Sequence, residues 1–346
     1  MSKIALCFLT YGNLSQPKLW YDIIETYKDK YNVYIHNKID FECEYNLNKY
    51  IINNKIPTKH GDISLVKATL VLFKAAFENT ENEYFILLSD KCIPIRDMDY
   101  IYKYCFTKNS TFFALKENDQ ERYTKIILDN FIDYKNFYKT SQWMIVKKSE
   151  CNFFIENDYT NYFQGFAPDE HYFISLCEKY KLPYLSLAPT FVNWSENSDD
   201  INIKKLPKTY DILTNDIIKD IIKSEEYFYM RKISDKCILP SFYNNFTLKI
   251  DLQSNQNLPL DFDVNIYKEI NPKYNDFTDN EIYEHYTKWS YLLDEKYKYE
   301  GLPLDFDVNI YKELNPDLNE MNDINAKFHY INNGSKEGRL YKNITT

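Results

Sequence analysis

Two stretches near the C-terminus are almost the same string. LPLDFDVNIYKEI, Leu258 to Ile270, returns as LPLDFDVNIYKEL, Leu302 to Leu314, and His285-Tyr286 returns as His329-Tyr330, always 44 residues on. A fixed period of this length marks a small unit that gains its core by stacking on a copy of itself. The chain is therefore read as two domains, 1–250 and 251–346. The second holds the repeats 258–301 and 302–345, with the polar DLQSNQNLP of Asp251 to Pro259 as linker. Each copy reads as a short helix, an Asn-Pro stop and a second helix carrying His-Tyr, with Gly334 and Gly338 suited to a helix end and a turn. The DFD triplets, Asp261 to Asp263 and Asp305 to Asp307, read as helix caps rather than metal ligands, because each immediately precedes a helix.

Ahead of the linker, strand-like and helix-like segments alternate. Ile4 to Leu9 is a continuous apolar run ending in a glycine turn, Leu19 to Tyr27 has helical spacing, and YNVYIH is strand-like. Leu65 to Phe77 is helical again, and EYFILLSD is a second continuous apolar run. Apolar strands alternating with helices predict an α/β domain, its mainly parallel sheet covered on both faces. Ligands of such sheets lie beyond the carboxyl ends of the strands. This gathers Thr10, Tyr11, Gly12, His36, Asn37, Ser89 and Asp90 around one crevice.

Composition removes several classes of function. Six glycines form neither a G-x-G-x-x-G nor a P-loop, so dinucleotide-dependent dehydrogenases and P-loop kinases are poor fits. A net charge of −9 and a pI near 5.3 argue against nucleic acid as partner. Seven cysteines without a C-x-x-C suggest free thiols in a reducing compartment. The N-terminal MSKIALCFLTYGN is too short for a membrane span and has no small-residue cleavage site, so a soluble, cytoplasmic protein is expected. Thirty-three Tyr and twenty-three Phe supply flat surfaces for sugars or bases, although an AT-rich coding sequence gives the same excess.

A specific resemblance rests on ordered motifs. IALCFLTYGN, HGDISLVKATLVLFKAAFEN, EYFILLSDKCIPI, FYKTSQWMIVKKSE, FAPDEHYFISLC, FVNWSE and EYFYMRKIS occur in the order in which similar segments occur in core-2/I-branching enzymes, a glycosyltransferase family that also holds peptide xylosyltransferases. The similarity spans about Ile4 to Ser234. It implies a GT-A-like fold and metal-independent, inverting transfer from a UDP-sugar to a glycan or glycoprotein acceptor. N-acetylglucosamine is the favoured sugar, with xylose or glucuronic acid next. Animal relatives are anchored in the Golgi; a chain without an anchor fits a microbial or giant-virus member. The resemblance places the family's general base at Glu170 and its diphosphate-holding cations at Arg231 and Lys232. It also draws Glu117, Ser141, Trp143 and Trp194 toward the donor or acceptor pocket.

The chemistry agrees with that placement. Inversion needs one base within hydrogen-bond reach of the acceptor hydroxyl, opposite the leaving group. A departing diphosphate gains charge that, without a metal, fixed cations must meet. Arg and Lys side by side offer a fork and a point charge. Asp169 reads mainly as the cap of the helix that follows Pro168, orienting Glu170. Ser89-Asp90-Lys91 makes a poor divalent site, since a lysine adjoins its single carboxylate.

Three features depart from the pattern or stay open. The family's glycine before Ser-Gln-Trp is Thr140 here, and Asn37-Lys38 replaces an aspartate expected near the uracil. Lys204, Lys205 and Lys208 also lie within reach of a phosphate, whereas His36 and His60 read first as structural. The rival readings are a non-catalytic glycan-binding protein on this fold and a metal-dependent transferase using Asp90. The repeats resemble a helical module appended to microbial and viral glycosyltransferases, for which acceptor docking, self-association and stabilisation are all compatible roles.

Overall fold

The computed structural model describes residues 1–43, 45–116, 120–194, 206–223, 227–241, 243, 258–259, 261–293, 295–303 and 305–342. The chain divides into two compact units, Met1–Thr247 and Leu248–Thr346.

The first unit begins β1 (Lys3–Thr10), α1 (Pro17–Thr26), β2 (Tyr31–Asn37), α2 (Ser64–Phe77), β3 (Asn82–Ser89), β4 (Ile93–Pro94) and α3 (Met98–Lys108). It continues through β5 (Phe112–Phe113), β6 (Leu115–Lys116), α4 (Gln120–Ile126), β7 (Lys139–Thr140), β8 (Ile145–Lys147), α5 (Lys148–Glu156) and α6 (Tyr172–Tyr180). It closes with β9 (Leu185–Ser186), β10 (Thr190–Val192), β11 (Tyr210–Ile212), α7 (Asn215–Ile222), β12 (Tyr229–Arg231) and β13 (Ile233–Ile238).

The main sheet has the order β2-β1-β3-β8-β5-β9. Its three long strands are parallel, with β1 between β2 and β3, whereas β8 runs antiparallel to β3 and β5. The two apolar runs seen in the sequence are these central strands. Ile4 to Phe8 are fully buried and Phe85 to Leu88 nearly so, as strands covered on both faces must be. Trp20 of α1 lies edge-on to Phe8 of β1, while Phe73 of α2 meets Phe85 and Phe173 on the other side. Each such buried ring contributes roughly 1.5–3 kcal/mol. Substituting Phe85 by Ala would open a cavity no neighbour fills.

The register aligns the strand ends. Thr10 pairs with Asn37, and Leu9 with Ser89, so β1, β2 and β3 stop at one level. There the turns interlock: Lys38 N–H donates to the Thr10 carbonyl at 3.0 Å, and Ser15 N–H to the Asp90 carbonyl at 2.9 Å. A second sheet, β10-β12-β4, is stitched to the same edge. Ile233 N–H donates to the Lys91 carbonyl at 3.0 Å, so the end of β12 lies beside the turn that follows β3. Among the cysteines all seven are unpaired.

In the second unit the first sequence copy forms α8 (Val264–Ile270) and α9 (Asp279–Leu293), and the second forms α10 (Val308–Leu314) and α11 (Asp323–His329). α8 and α10 have equal length, whereas α11 is shorter than α9 and passes into a π-helical turn, Tyr330–Gly334. The last Asp of each DFD triplet caps its helix: Asp263 accepts from Asn265 and Ile266 N–H at 2.8 and 3.2 Å, and Asp307 from Asn309 and Ile310 N–H at the same distances. The first Asp of each holds a lysine instead, Asp261 with Lys298 and Asp305 with Lys342, both at 2.7 Å. One ion pair has its charges exchanged between the copies. Glu295 receives Lys273 at 3.1 Å together with the Tyr267 and Tyr274 hydroxyls and His285. The positions 44 residues on are Arg339 and Asp317, joined at 2.7 Å with the charges exchanged.

Candidate active site

The turn before α6 is shaped by two left-handed residues, Gly165 (φ 76°) and Ala167 (φ 60°). For Ala this conformation costs about 1–2 kcal/mol, and backbone bonds on both sides hold it: Gln164 N–H to the Ile126 carbonyl at 2.9 Å, and Ala167 N–H to the Gly61 carbonyl at 2.8 Å. Pro168–Glu170 then form one tight 3₁₀ turn, and α6 starts only at Tyr172. This corrects the expected cap. Pro168 opens the 3₁₀ turn and not α6, so His171 takes the cap position and the Asp169 side chain caps nothing. Asp169 is buried, and its Oδ1 has no hydrogen-bond partner among the described residues. Burial, then the charge of Glu170, pushes its carboxyl up to about 7. The core-facing part of the reading stands: Phe173, Ile174 and Cys177 are buried.

Glu170 behaves in the opposite way. Burial favours its neutral form, but the Arg122 hydrogen bond and the Lys139 charge outweigh that and lower its pKa. Arg122 Nη1 lies 2.6 Å and Lys139 Nζ 3.3 Å from the same oxygen, Oε2. Oε1 has no partner among the described residues, and the side chain is 24% exposed. Glu170 is thus a charged carboxylate with one oxygen occupied and one available.

His171 fixes this arrangement from behind. Its ring stacks on Phe137 at 4.3 Å between centroids, and Nδ1 lies 2.8 Å from the Tyr138 carbonyl. A carbonyl only accepts, so Nδ1 carries the proton and Nε2 presents a lone pair. Arg122 Nη1 approaches that lone pair at 3.1 Å. Desolvation is the main reason the His171 pKa falls to about 4, which keeps the ring neutral at pH 7.

A cationic region lies along the same segment of chain. The Arg231 guanidinium covers the Trp143 ring, 4.4 Å from its centroid. Its Nε is buried with no hydrogen-bond partner among the described residues. Buried donors are as a rule hydrogen-bonded, so an unpaired N–H on a guanidinium sets Arg231 apart from an ordinary packing residue. Desolvation lowers the Arg231 pKa, opposed by Cys92 and Asp90, and lowers that of Lys232, assisted by the Arg231 charge. Asp90, mostly enclosed, is raised by desolvation against the pull of Lys91 and Arg231. Lys91 is taken by Asp235 at 2.6 Å. Lys139 touches Glu170 and Trp143 touches Arg231, four residues apart. A chain of four residues spans at most about 14 Å, which bounds the separation of the backbones carrying the two regions.

The other expected site residues divide. Tyr11 is well exposed and carries Lys38 over its ring at 5.7 Å, and Trp194 is exposed too. Thr10 and Thr140 are buried, their hydroxyls without partners among the described residues. Ser141 Oγ accepts from Trp143 N–H at 3.4 Å, and a side chain at Gly12 would meet open space. His36 is fully buried, and its Nε2 accepts from Ile56 N–H at 3.1 Å, which agrees with its structural reading. Asn37 and Ser89 are likewise spent on their own turns, Asn37 on Ile39, Asp40 and Lys55, Ser89 on Lys91 N–H. Lys208 is exposed over Tyr210. Glu117, Lys204 and Lys205 lie outside the described residues. Arg122, Lys139 and His171 were missed by the sequence reading. His171 adjoins the acidic pair, but nothing near Arg122 distinguishes it from the other charges of its helix.

Comparison with known proteins places the chain in a family. The model of the Core-2/I-Branching enzyme family matches residues 4–224, which includes Arg122, Lys139, Glu170 and His171 but stops before Arg231 and Lys232. Glycosyltransferase BC10 of Oryza sativa subsp. japonica is 22% identical over 166 residues, 45% of this chain and 41% of that protein, so the chain covers less than half of this relative. Of solved structures, the crystal structure of A197 from STIV aligns with 52% of this chain and 78% of its own at 10% identity and a TM-score of 0.27, too low to carry an argument. The family model spans well over half of the chain, which therefore belongs to the core-2/I-branching enzyme family of glycosyltransferases.

Proposed function

We propose that the first unit is a GT-A-like inverting transferase that moves a sugar, N-acetylglucosamine before xylose or glucuronic acid, from a UDP-sugar to a hydroxyl of a glycan or glycoprotein. The observation that carries this reading is the state of Glu170: held charged, with both cations on Oε2 and Oε1 free of described partners. Oε1 takes the proton of the acceptor hydroxyl as its oxygen attacks C1 of the sugar. The bond from C1 to the phosphate oxygen breaks, and UDP leaves with the electron pair. Arg231 and Lys232 meet the charge that develops on it. The orphan Arg231 Nε supports that role.

The same reading makes the transfer metal-independent. Asp90 is a carboxylate that burial shifts toward its neutral form, with Lys91 and Arg231 beside it, and the neighbouring carboxylate, Asp235, is held by Lys91. Divalent cations favour several charged oxygens, and a guanidinium nearby repels them. A panel of UDP-sugars, screened for turnover and for a raised melting temperature with and without EDTA, tests the proposal. One sugar should be turned over equally in both conditions; turnover abolished by EDTA and restored by manganese would overturn the metal-free part, and no turnover of any sugar would overturn the whole.

A further inference from the structure

We propose that Phe166 is a stacking platform for a pyranose ring of the acceptor, a subsite that rests on the glycosyl-transfer reading above. The ring is 62% exposed, although it is one of the most apolar side chains in the turn that carries Glu170. An exposed Phe is ordinary; a fixed one is not. One side of this ring lies on the backbone of Gly61, so closely that a Cβ at Gly61 would collide with it, and Gly61 itself has φ 67°. His60 meets the ring edge-on at 6.0 Å.

The backbone on either side is equally constrained. Gly165 and Ala167 both take left-handed conformations, and a Cβ at Gly165 would stand 2.8 Å from the Lys125 carbonyl oxygen. The bond from Ala167 N–H to the Gly61 carbonyl ties the two loops together directly behind the ring. Core burial does not explain this construction, since the outer side of the ring faces solvent. Ala167 is held in a strained conformation beside this exposed ring, with two glycines supplying the positive φ on which its close packing depends. Local strain kept next to an exposed group points to a function for that group.

Position selects the ligand. The bond from Glu170 N–H to the Ala167 carbonyl closes a turn, which keeps those two Cα atoms within about 7 Å. Phe166 is one residue further on. The backbones of Phe166 and Glu170 are therefore within about 11 Å of each other, a span that one or two pyranose rings bridge. The C–H groups on the apolar face of a pyranose carry partial positive charge and meet the negative face of an aromatic ring. The donor diphosphate belongs with Arg231 and Lys232, so the acceptor is the partner left for Phe166.

Steady-state kinetics with the preferred UDP-sugar and an oligosaccharide acceptor decide the matter. Phe166→Leu keeps apolar bulk but removes the flat face, and Phe166→Tyr keeps the face. The Leu variant should raise acceptor KM about tenfold with kcat within about threefold, and the Tyr variant should stay within about threefold of the parent KM. Equal KM for Leu and parent would overturn the subsite while leaving Glu170 as base. A fall in kcat with unchanged KM would also overturn it, by showing that the ring merely supports the turn. Should the parent turn over no UDP-sugar, the reading beneath the subsite fails, and the subsite with it.

Discussion

The two ends of the segment from Lys139 to Trp143 hold opposite charges by opposite means. At the Lys139 end a carboxylate, Glu170, is kept ionised because two cations outweigh its desolvation. At the Trp143 end a guanidinium, Arg231, is desolvated against an aromatic face, with Cys92 and Asp90 opposing that penalty and one buried N–H unpaired among the described residues. The first end leaves one carboxylate oxygen without a partner among the described residues, and the second leaves one guanidinium N–H in the same state. Transfer chemistry needs that asymmetry, a proton acceptor where the nucleophile arrives and an anion receptor where the leaving group departs.

Removing either end should separate them. Glu170→Gln keeps the shape but removes the base, and turnover of the UDP-sugar should fall by about 10³ while UDP still raises the melting temperature, since base catalysis contributes about 10²–10⁴. Survival of turnover within about tenfold would sink the base assignment. Arg231→Ala should do the reverse. It should weaken stabilisation by UDP and slow turnover by about 10², and unchanged UDP binding would remove Arg231 from the diphosphate site.

Smaller effects sharpen the comparison. His171→Phe preserves the stack on Phe137 but offers Arg122 no lone pair. Arg122 should then loosen from Glu170, lowering kcat about tenfold at pH 7. A loss of stability without a loss of kcat would make His171 a mere core residue.

Asp169→Asn concerns stability alone. The folded carboxyl titrates near 7 and the unfolded one near 4, so the folded state binds an extra proton between these values and stability falls as pH rises through that window. At pH 8 the Asn variant should melt about 4 °C higher than the parent, and at pH 4 the gain should vanish. An equal gain at both pH values would show that Asp169 is not held neutral.

Much of this was legible beforehand, for physical reasons. Strands covered on both faces must be continuously apolar, so β1 and β3 stood out, and parallel pairing sent their carboxyl ends to one edge. The antiparallel β8 was not visible, because three residues carry no periodicity. The DFD caps were read correctly at Asp263 and Asp307, since a local cap needs only its own helix. The cap at Asp169 was misread. The left-handed Ala167 inserts a 3₁₀ turn ahead of α6, and nothing in a local pattern reports the Gly61 contact that holds it there. Arg122 was invisible for the same reason: it is 48 residues from Glu170 along the chain and 2.6 Å away in space.

The central claim, one base and a single displacement, is tested most directly by the anomeric configuration of the product. With an α-linked UDP-sugar as donor, proton NMR of the first product formed should show a β-glycosidic linkage. An α linkage would mean retention, which one carboxylate acting as base at Glu170 does not give, and would contradict the mechanism.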